Sequence, residues 1–296
     1  MMNCKDIDNW VASIRKDGER PCTYSEEYID PFSIPMYIFQ SIGADRYIRI
    51  ESEGYDAFYC YYQPCFQNKK APLIVHTPGY GGEMSMHPEL AQYFHVLHIN
   101  PLGYATPKGK DKNKMTMNGL GSVYPDTFLS GGLKGYYTWL VNCVMAVNMA
   151  LKWDCVISDR VSFFGTSQGG GASMLLGSIF SDITKAVASD QPFLTNLTLA
   201  GQRGAYGIGQ ELIEQAKEED RERAAYYIDT VHHVHRFTFP VLLTSGGQDG
   251  TCPPDTIEDL FHQIKGTKSY THFEHLSHGY NREFVQMAKA WFLIYS

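Results

Sequence analysis

The residue in this chain best placed for covalent chemistry is a serine set between glycines. It stands in Gly165-Thr166-Ser167-Gln168-Gly169-Gly170-Gly171, behind the apolar run Val161–Phe164 and ahead of Ala172-Ser173-Met174-Leu175-Leu176. A strand that turns straight into a helix at Ser167 holds that residue in a strained conformation. The glycines two before and two after it are required because larger side chains would collide there. Such an elbow lifts the hydroxyl above the strand ends. It also aims the Gln168 N–H, at a helix N-terminus, toward an oxyanion forming on an attacked carbonyl. Gly-x-Ser-x-Gly alone recurs by chance in a chain with 27 glycines, so the flanking strand and helix carry the inference.

A serine hydroxyl is a weak nucleophile and needs a base, itself oriented by an acid. On an elbow of this kind the acid and then the base follow the nucleophile along the chain. The acid should end a late strand, and Val241-Leu242-Leu243-Thr244-Ser245-Gly246-Gly247-Gln248-Asp249 supplies Asp249. Asp190, closing Ala186-Val187-Ala188-Ser189-Asp190, is the alternative acid. Asp255 and Asp259 fall at a helix start, where a carboxylate commonly complements the helix dipole. The base should lie between the last strand and the last helix. His278 sits there, with His272 and His275 nearer the strand as alternatives. A second oxyanion donor is expected from the loop His76-Thr77-Pro78-Gly79-Tyr80-Gly81-Gly82, through the Tyr80 N–H, with the phenol lining an acyl pocket.

The other candidate ligands have structural readings. His232, His233 and His235 cluster, but no Asp, Glu or Cys stands at ligand spacing beside them, so no metal is expected. His95 and His98 read as satisfied residues near a strand. Cys60 and Cys65 have no second such pair to complete a metal site. Acyl transfer through a serine requires no metal or organic cofactor, and none is expected.

The elements that must position these side chains alternate. Segments 46–51 and 57–63, parted by Glu53-Gly54, predict an antiparallel hairpin. Short apolar strands follow at 73–76, 94–99, 161–164, 186–188, 241–244 and 269–274. Helical spacing marks 133–152, the stretch from Gln168, a long polar segment at 208–231, a helix from Pro254 and a last one over 281–294. The alternation predicts an α/β protein, a mostly parallel twisted sheet with helices on both faces and sites at the carboxyl ends of its strands. Residues 1–45 read as an extension on the core. Residues 46–296 read as one domain, with a helical cap-like insertion over about 191–236 before the acid-bearing strand.

Charge and composition exclude several function classes. The net charge is −7 and the run Lys108–Lys114 is a solvated loop, so there is no footprint for nucleic acid. No stretch reaches the ~18 apolar residues of a membrane span. The polar start Met1-Met2-Asn3-Cys4-Lys5 has no signal-peptide core, and seven widely spaced cysteines read as reduced thiols. A cytoplasmic setting is the expectation.

Four blocks resemble one family. Gly-Tyr-Gly-Gly at 79–82, Ser-Gln-Gly-Gly-Gly at 167–171, Asp-Gln-Pro-Phe-Leu at 190–194 and Cys-Pro-Pro-Asp-Thr at 252–256 are similar to the acetyl xylan esterase / cephalosporin C deacetylase family of the α/β-hydrolase superfamily. Tyr227-Ile228-Asp229 also looks familial. The resemblance implies an α/β-hydrolase fold and a cytoplasmic deacetylase of acetylated sugars or short xylo-oligosaccharides, assembled as a homo-oligomer. It places Ser167, Asp249 and His278 on triad positions and Tyr80 and Gln168 on oxyanion positions. The chain departs from the family where Asn100-Pro101-Leu102-Gly103-Tyr104 replaces Arg-Gly-Gln and where Gly279 replaces the Glu after the base. A serine peptidase of the prolyl oligopeptidase type and a non-catalytic binding module are the competing readings.

Overall fold

The computed structural model describes residues 2–27, 46–79, 87–100, 134–205 and 225–296. Its described strands are β1 (Cys22–Glu27), β2 (Arg46–Ser52), β3 (Tyr55–Gln63), β4 (Ala71–Thr77), β5 (His95–Ile99), β6 (Val156–Thr166), β7 (Thr184–Asp190), β8 (Val241–Gly246) and β9 (Lys268–Phe273). They form one sheet in the order β1-β2-β3-β5-β4-β6-β7-β8-β9. β2 and β3 pair antiparallel, as the two aromatic-rich segments predict. From β5 to β9 the pairing is parallel. The inner strands β4, β5, β7 and β8 are buried nearly throughout and read as apolar runs, whereas the edge strand β9 is only half-buried.

The order reverses at β4, whose next strand in sequence lies on one side and β6 on the other. A crevice opens at the carboxyl ends of two strands at such a point. Here those ends are Thr77 and Thr166, one residue short of Ser167.

The described helices are α1 (Cys4–Gly18), α2 (Pro88–Ala91), α3 (Lys134–Ala150), α4 (Gln168–Ile179), α5 (Leu197–Gln202), α6 (Pro254–Gln263) and α7 (Arg282–Tyr295), with a 3₁₀ helix at Thr230–Arg236. One apolar core joins α1, α3, α4 and α6 to one face of the sheet. A smaller one packs α2 and α7 on the other. Every residue of α4 is buried, which requires a helix apolar all round and covered on its outer side.

α1 supplies part of that cover. Asn3 and Asp6 close a capping box at its start. Its apolar stripe Ile7, Trp10, Val11 and Ile14 enters the larger core at helical spacing. A Cβ on Gly18 would lie 2.5 Å from Val144 Cβ, so the end of α1 rests directly on α3. The extension contributes a core helix and the edge strand β1. The composition hid both, because α1 is polar on its outer face and β1 is a Thr-Tyr-Ser-Glu strand exposed along most of its length. Of the polar helical segment 208–231, positions 208–224 lie outside the described residues; 225–228 are α-helical, and the 3₁₀ helix takes over from Thr230. Among the described residues, no helix is long and apolar enough to cross a membrane.

If α1 is part of the cooperative core, Ile14→Ala should cost about 2–5 kcal/mol. Exposed Lys16→Ala should stay within about 0.5 kcal/mol. Urea unfolding of the two variants checks this; an Ile14→Ala cost near zero would detach α1 from the core.

Candidate active site

Ser167 adopts φ 59° and ψ −122° between β6 and α4. A non-glycine residue in that region is strained and persists only where its surroundings over-determine it. Three features do so. The Ser167 N–H donates to the Asp190 carbonyl at 2.9 Å, and the Ser167 carbonyl accepts from Gly171 at 3.0 Å and Phe193 at 2.9 Å. A Cβ on Gly165 would meet Thr77 O at 2.7 Å, and one on Gly169 would meet Thr77 C at 2.7 Å. Glycine is therefore required on both sides, as the motif predicts. The next two glycines serve the same approach: a Cβ on Gly170 would press on Asp190 O at 2.9 Å, and one on Gly171 on Leu194 Cβ at 3.0 Å. Ser-Gln-Gly-Gly-Gly and Asp-Gln-Pro-Phe-Leu are two sides of one contact.

The strand ends bring three distant side chains together. His278 Nε2 lies 2.9 Å from Ser167 Oγ. Its Nδ1 lies 2.8 Å from Asp249 Oδ2. The other Asp249 oxygen accepts the N–H groups of Thr251 and Cys252, each at 2.8 Å. The carboxylate is thus held by two backbone donors, and its free edge fixes the imidazole with Nδ1 as donor and Nε2 facing the hydroxyl.

The alternative residues have other work. Asp190 accepts hydroxyl donors from Thr244 at 2.6 Å and Thr166 at 3.1 Å, tying β7 to its two neighbours beneath the site. His272 Nδ1 faces Ser245 Oγ, and His275 is exposed. Asp255 binds Arg203, while Asp259 accepts from Asn196 and Gln263. Gln168 opens α4 beside Ser167, its side chain accepting from Tyr136 OH at 3.4 Å. Tyr80 lies outside the described residues. The described part of its loop approaches the elbow, since a Cβ on Gly79 would stand 3.8 Å from Ser167 Cβ.

The clustered histidines diverge. His232 stacks on Tyr226, His233 bonds Ser178 and the Tyr227 carbonyl, and His235 faces Asp8. His95 contacts Tyr62, Cys65 N and the Cys155 carbonyl; His98 contacts His76 and Gln63. His76, His87 and His98 stand together, and burial holds all three well below the usual imidazole range. Asp249, Cys252 and His278 present ligand atoms within 4.8 Å of one another. Both Asp249 oxygens are already engaged by Thr251, Cys252 and His278, and burial pushes the Cys252 thiol well up, away from the thiolate a metal would need.

The sequence from residue 52 to residue 295 matches the family described as acetyl xylan esterase (AXE1). The chain belongs to the acetyl xylan esterase family. It is 24% identical, over an alignment of 292 residues, to acetyl esterase Axe7A of Xylanibacter ruminicola, which takes in 90% of this chain and 61% of that protein. The chain thus spans about three fifths of that curated relative's length. Its fold is that of acetyl xylan esterase 1 from Thermoanaerobacterium sp. JW/SL YS485, with a TM-score of 0.74 at 18% identity, covering 98% of this chain and 93% of that one. The acetyl xylan esterase from Paenibacillus sp. R4 gives 0.71 at 19%, covering 99% and 94%. The architecture is the α/β-hydrolase fold.

Membership gives the family-like tripeptide Tyr227-Ile228-Asp229 a structural meaning. Buried Asp229 accepts the N–H groups of Asn196, Leu197 and Val231, anchoring the segment after β7. Burial nonetheless pushes its carboxyl up to about 7. Asp190 is likewise pushed up to about 7, chiefly by burial, against the opposing pull of the Thr244 and Thr166 hydroxyls.

An acid whose folded pKa exceeds its unfolded value of about 3.9 keeps a proton that the unfolded chain releases. Its contribution to stability is therefore full below about pH 4 and lost as pH rises toward about 7. The buried histidines act with the opposite sign, so the measurement is the difference between wild type and Asp190→Asn. That difference should shift in the variant's favour by a few kcal/mol at most between about pH 4 and pH 7. Urea unfolding across that range checks it; a flat difference would show that Asp190 ionises normally.

Proposed function

We propose that this protein is a serine carboxylic-ester hydrolase that removes acetyl groups from acetylated sugars or short xylo-oligosaccharides. The observation that carries the reading is the unbroken Ser167–His278–Asp249 hydrogen-bond chain on a strained elbow in an acetyl xylan esterase family member.

In this mechanism His278 Nε2 takes the Ser167 proton as Oγ attacks the ester carbonyl. Asp249 holds the imidazole tautomer and stabilises the cation that forms. The N–H groups of Gln168 and Tyr80 receive the tetrahedral oxyanion, a contribution of roughly 3–4 kcal/mol per donor in comparable sites. The imidazolium protonates the leaving sugar hydroxyl, leaving an acetyl group on Ser167 Oγ. Water, deprotonated by the same imidazole, then attacks, and acetic acid departs as Oγ regains its proton from the imidazolium, giving up its own proton to solvent as acetate. Protons and charge balance on these side chains and water alone.

We also propose residues 1–45 as an N-terminal extension packed on the core of a single domain over 46–296, with a cap-like insertion over about 191–236 that limits the acyl or alcohol group. A cytoplasmic setting is supported by seven cysteines that are all unpaired. A homo-oligomer is proposed with them. The −7 charge argues against a nucleic-acid partner.

Ser167→Ala should lower kcat on p-nitrophenyl acetate by roughly a million-fold. Retained turnover in the variant would remove Ser167 from the chemistry. Wild type should favour p-nitrophenyl acetate over the butyrate and octanoate, and should release acetate from acetylated xylo-oligosaccharide while leaving peptide p-nitroanilides intact. Equal rates along the acyl series would contradict a small acyl pocket. Peptide cleavage would favour the peptidase reading, and folded protein inert to a fluorophosphonate would favour a binding module.

A further inference from the structure

The base stands on a loop with little of its own to hold it. His278 is followed by Gly279, which adopts φ +153°, a conformation rarely open to other residues. No side chain can anchor the backbone there. Two hydrogen bonds from a single side chain make up for it. Gln191 Nε2 donates to the Ser277 carbonyl at 3.0 Å. Gln191 Oε1 accepts the Gly279 N–H, also at 3.0 Å. One primary amide thus grips the peptide groups on either side of His278.

The surroundings are built for that reach. Gln191 is fully buried and sits at φ 42°, a left-handed conformation that costs a non-glycine residue free energy. Its N–H is fixed to the Thr244 carbonyl at 3.0 Å. A Cβ on Gly246 would come within 2.8 Å of Gln191 Nε2, so glycine there leaves the corridor open. The preceding residue, Asp190, offers its carbonyl to the Ser167 N–H. Neighbouring groups on one strand end therefore hold the nucleophile and the base.

We propose that Gln191 is the positioning residue of His278, its side-chain amide fixing the 277–279 loop so that Nε2 stays in line with Ser167 Oγ. This rests on His278 acting as the base. The group must offer a donor and an acceptor at once. Asn is too short for the reach, a hydrophobe offers neither, and a carboxylate lacks the donor.

That requirement supplies the test. Gln191→Met keeps the volume and removes both bonds. Its kcat on p-nitrophenyl acetate and its second-order rate of fluorophosphonate labelling should both fall by roughly 10- to 100-fold. Gln191→Glu can donate to Ser277 O only while protonated. Once ionised it repels that carbonyl, and Asp190 and Asp249 as well as burial push its ionisation upward. The ratio of Gln191→Glu to wild-type rate should therefore approach one at low pH and fall by at least tenfold as pH rises. Asp190 titrates in both proteins and largely cancels in the ratio. The Gln191→Met ratio should stay flat with pH.

Rates are taken per labelled active site in protein shown folded by circular dichroism. A residue that only stabilised the fold would leave both ratios near one, and that result overturns the proposal. If Gln191→Met does not fold, a flat Gln191→Glu ratio overturns it alone. Wild type that neither labels nor hydrolyses esters sinks the esterase reading itself, a failure distinct from unchanged variants of an active enzyme.

Discussion

The arrangement depends on a steric constraint: the first turn of α4 must come within backbone contact of the end of β4. Gly165 and Gly169 both face Thr77 at distances that admit no Cβ. The Thr77 hydroxyl confirms the fit by donating to the Gly169 carbonyl at 2.8 Å. Any larger residue would push α4 away from the sheet and relax Ser167 out of its strained positive-φ conformation. The hydroxyl would then leave the crevice where the strand order reverses. The strain at one residue is held by packing spread over three strands, and so it persists.

Packing and polarity are divided along the same line. Below the strand ends lie apolar cores on both faces of the sheet, and α4 passes through one of them with every residue buried. At the ends the backbone turns polar, and each buried acid finds donors. Asp190 takes two hydroxyls, Asp229 three backbone N–H groups, and Asp249 two N–H groups and the imidazole. Burial still lifts Asp190 and Asp229 toward neutrality, because hydroxyl and amide donors do not replace the solvation lost.

The parts of this design written locally were legible in the sequence. Ser167 is flanked by its own requirements, strand before and glycines around, so five residues specify the elbow. That Asp249 and His278 meet Ser167 could be expected because each follows a recognisable strand and their order is constrained. The competing Asp190 could not be dismissed from sequence, since it also ends a strand; only the sheet order shows it between Thr166 and Thr244 rather than facing the imidazole. α1 and β1 were missed because their burial depends on distant partners. Four apolar residues in α1 matter only once α4 needs covering, and β1 carries almost no apolar signal at all. Gln191 was visible as part of Asp-Gln-Pro-Phe-Leu, but its bonds run to a loop 86 and 88 positions away, which no local pattern encodes.

The loop that carries Asp249 shows why a short sequence run can be so specific. Asp249-Gly250-Thr251-Cys252 folds back so that Oδ1 collects the Thr251 and Cys252 N–H groups, a turn that short acidic side chains make with their own backbone. Pro253 and Pro254 follow where α6 begins, and a proline loses nothing at a helix start because its missing N–H would have had no intrahelical partner. The turn and the helix start together fix the carboxylate plane before His278 arrives. On the other side, the Gly247 N–H bonds the Phe273 carbonyl and the Gln248 N–H the Leu276 carbonyl, stitching the acid's approach to the segment that leads to the base. The imidazole is therefore located from more than one direction: by a carboxylate anchored to its own turn, by backbone ties that run between two adjacent parallel strands, and by the Gln191 amide on the Ser277 carbonyl and the Gly279 N–H. Neither the turn nor the ties would place it alone, since the first fixes only Nδ1 and the second only the chain. Their intersection leaves Nε2 within hydrogen-bond reach of the serine hydroxyl.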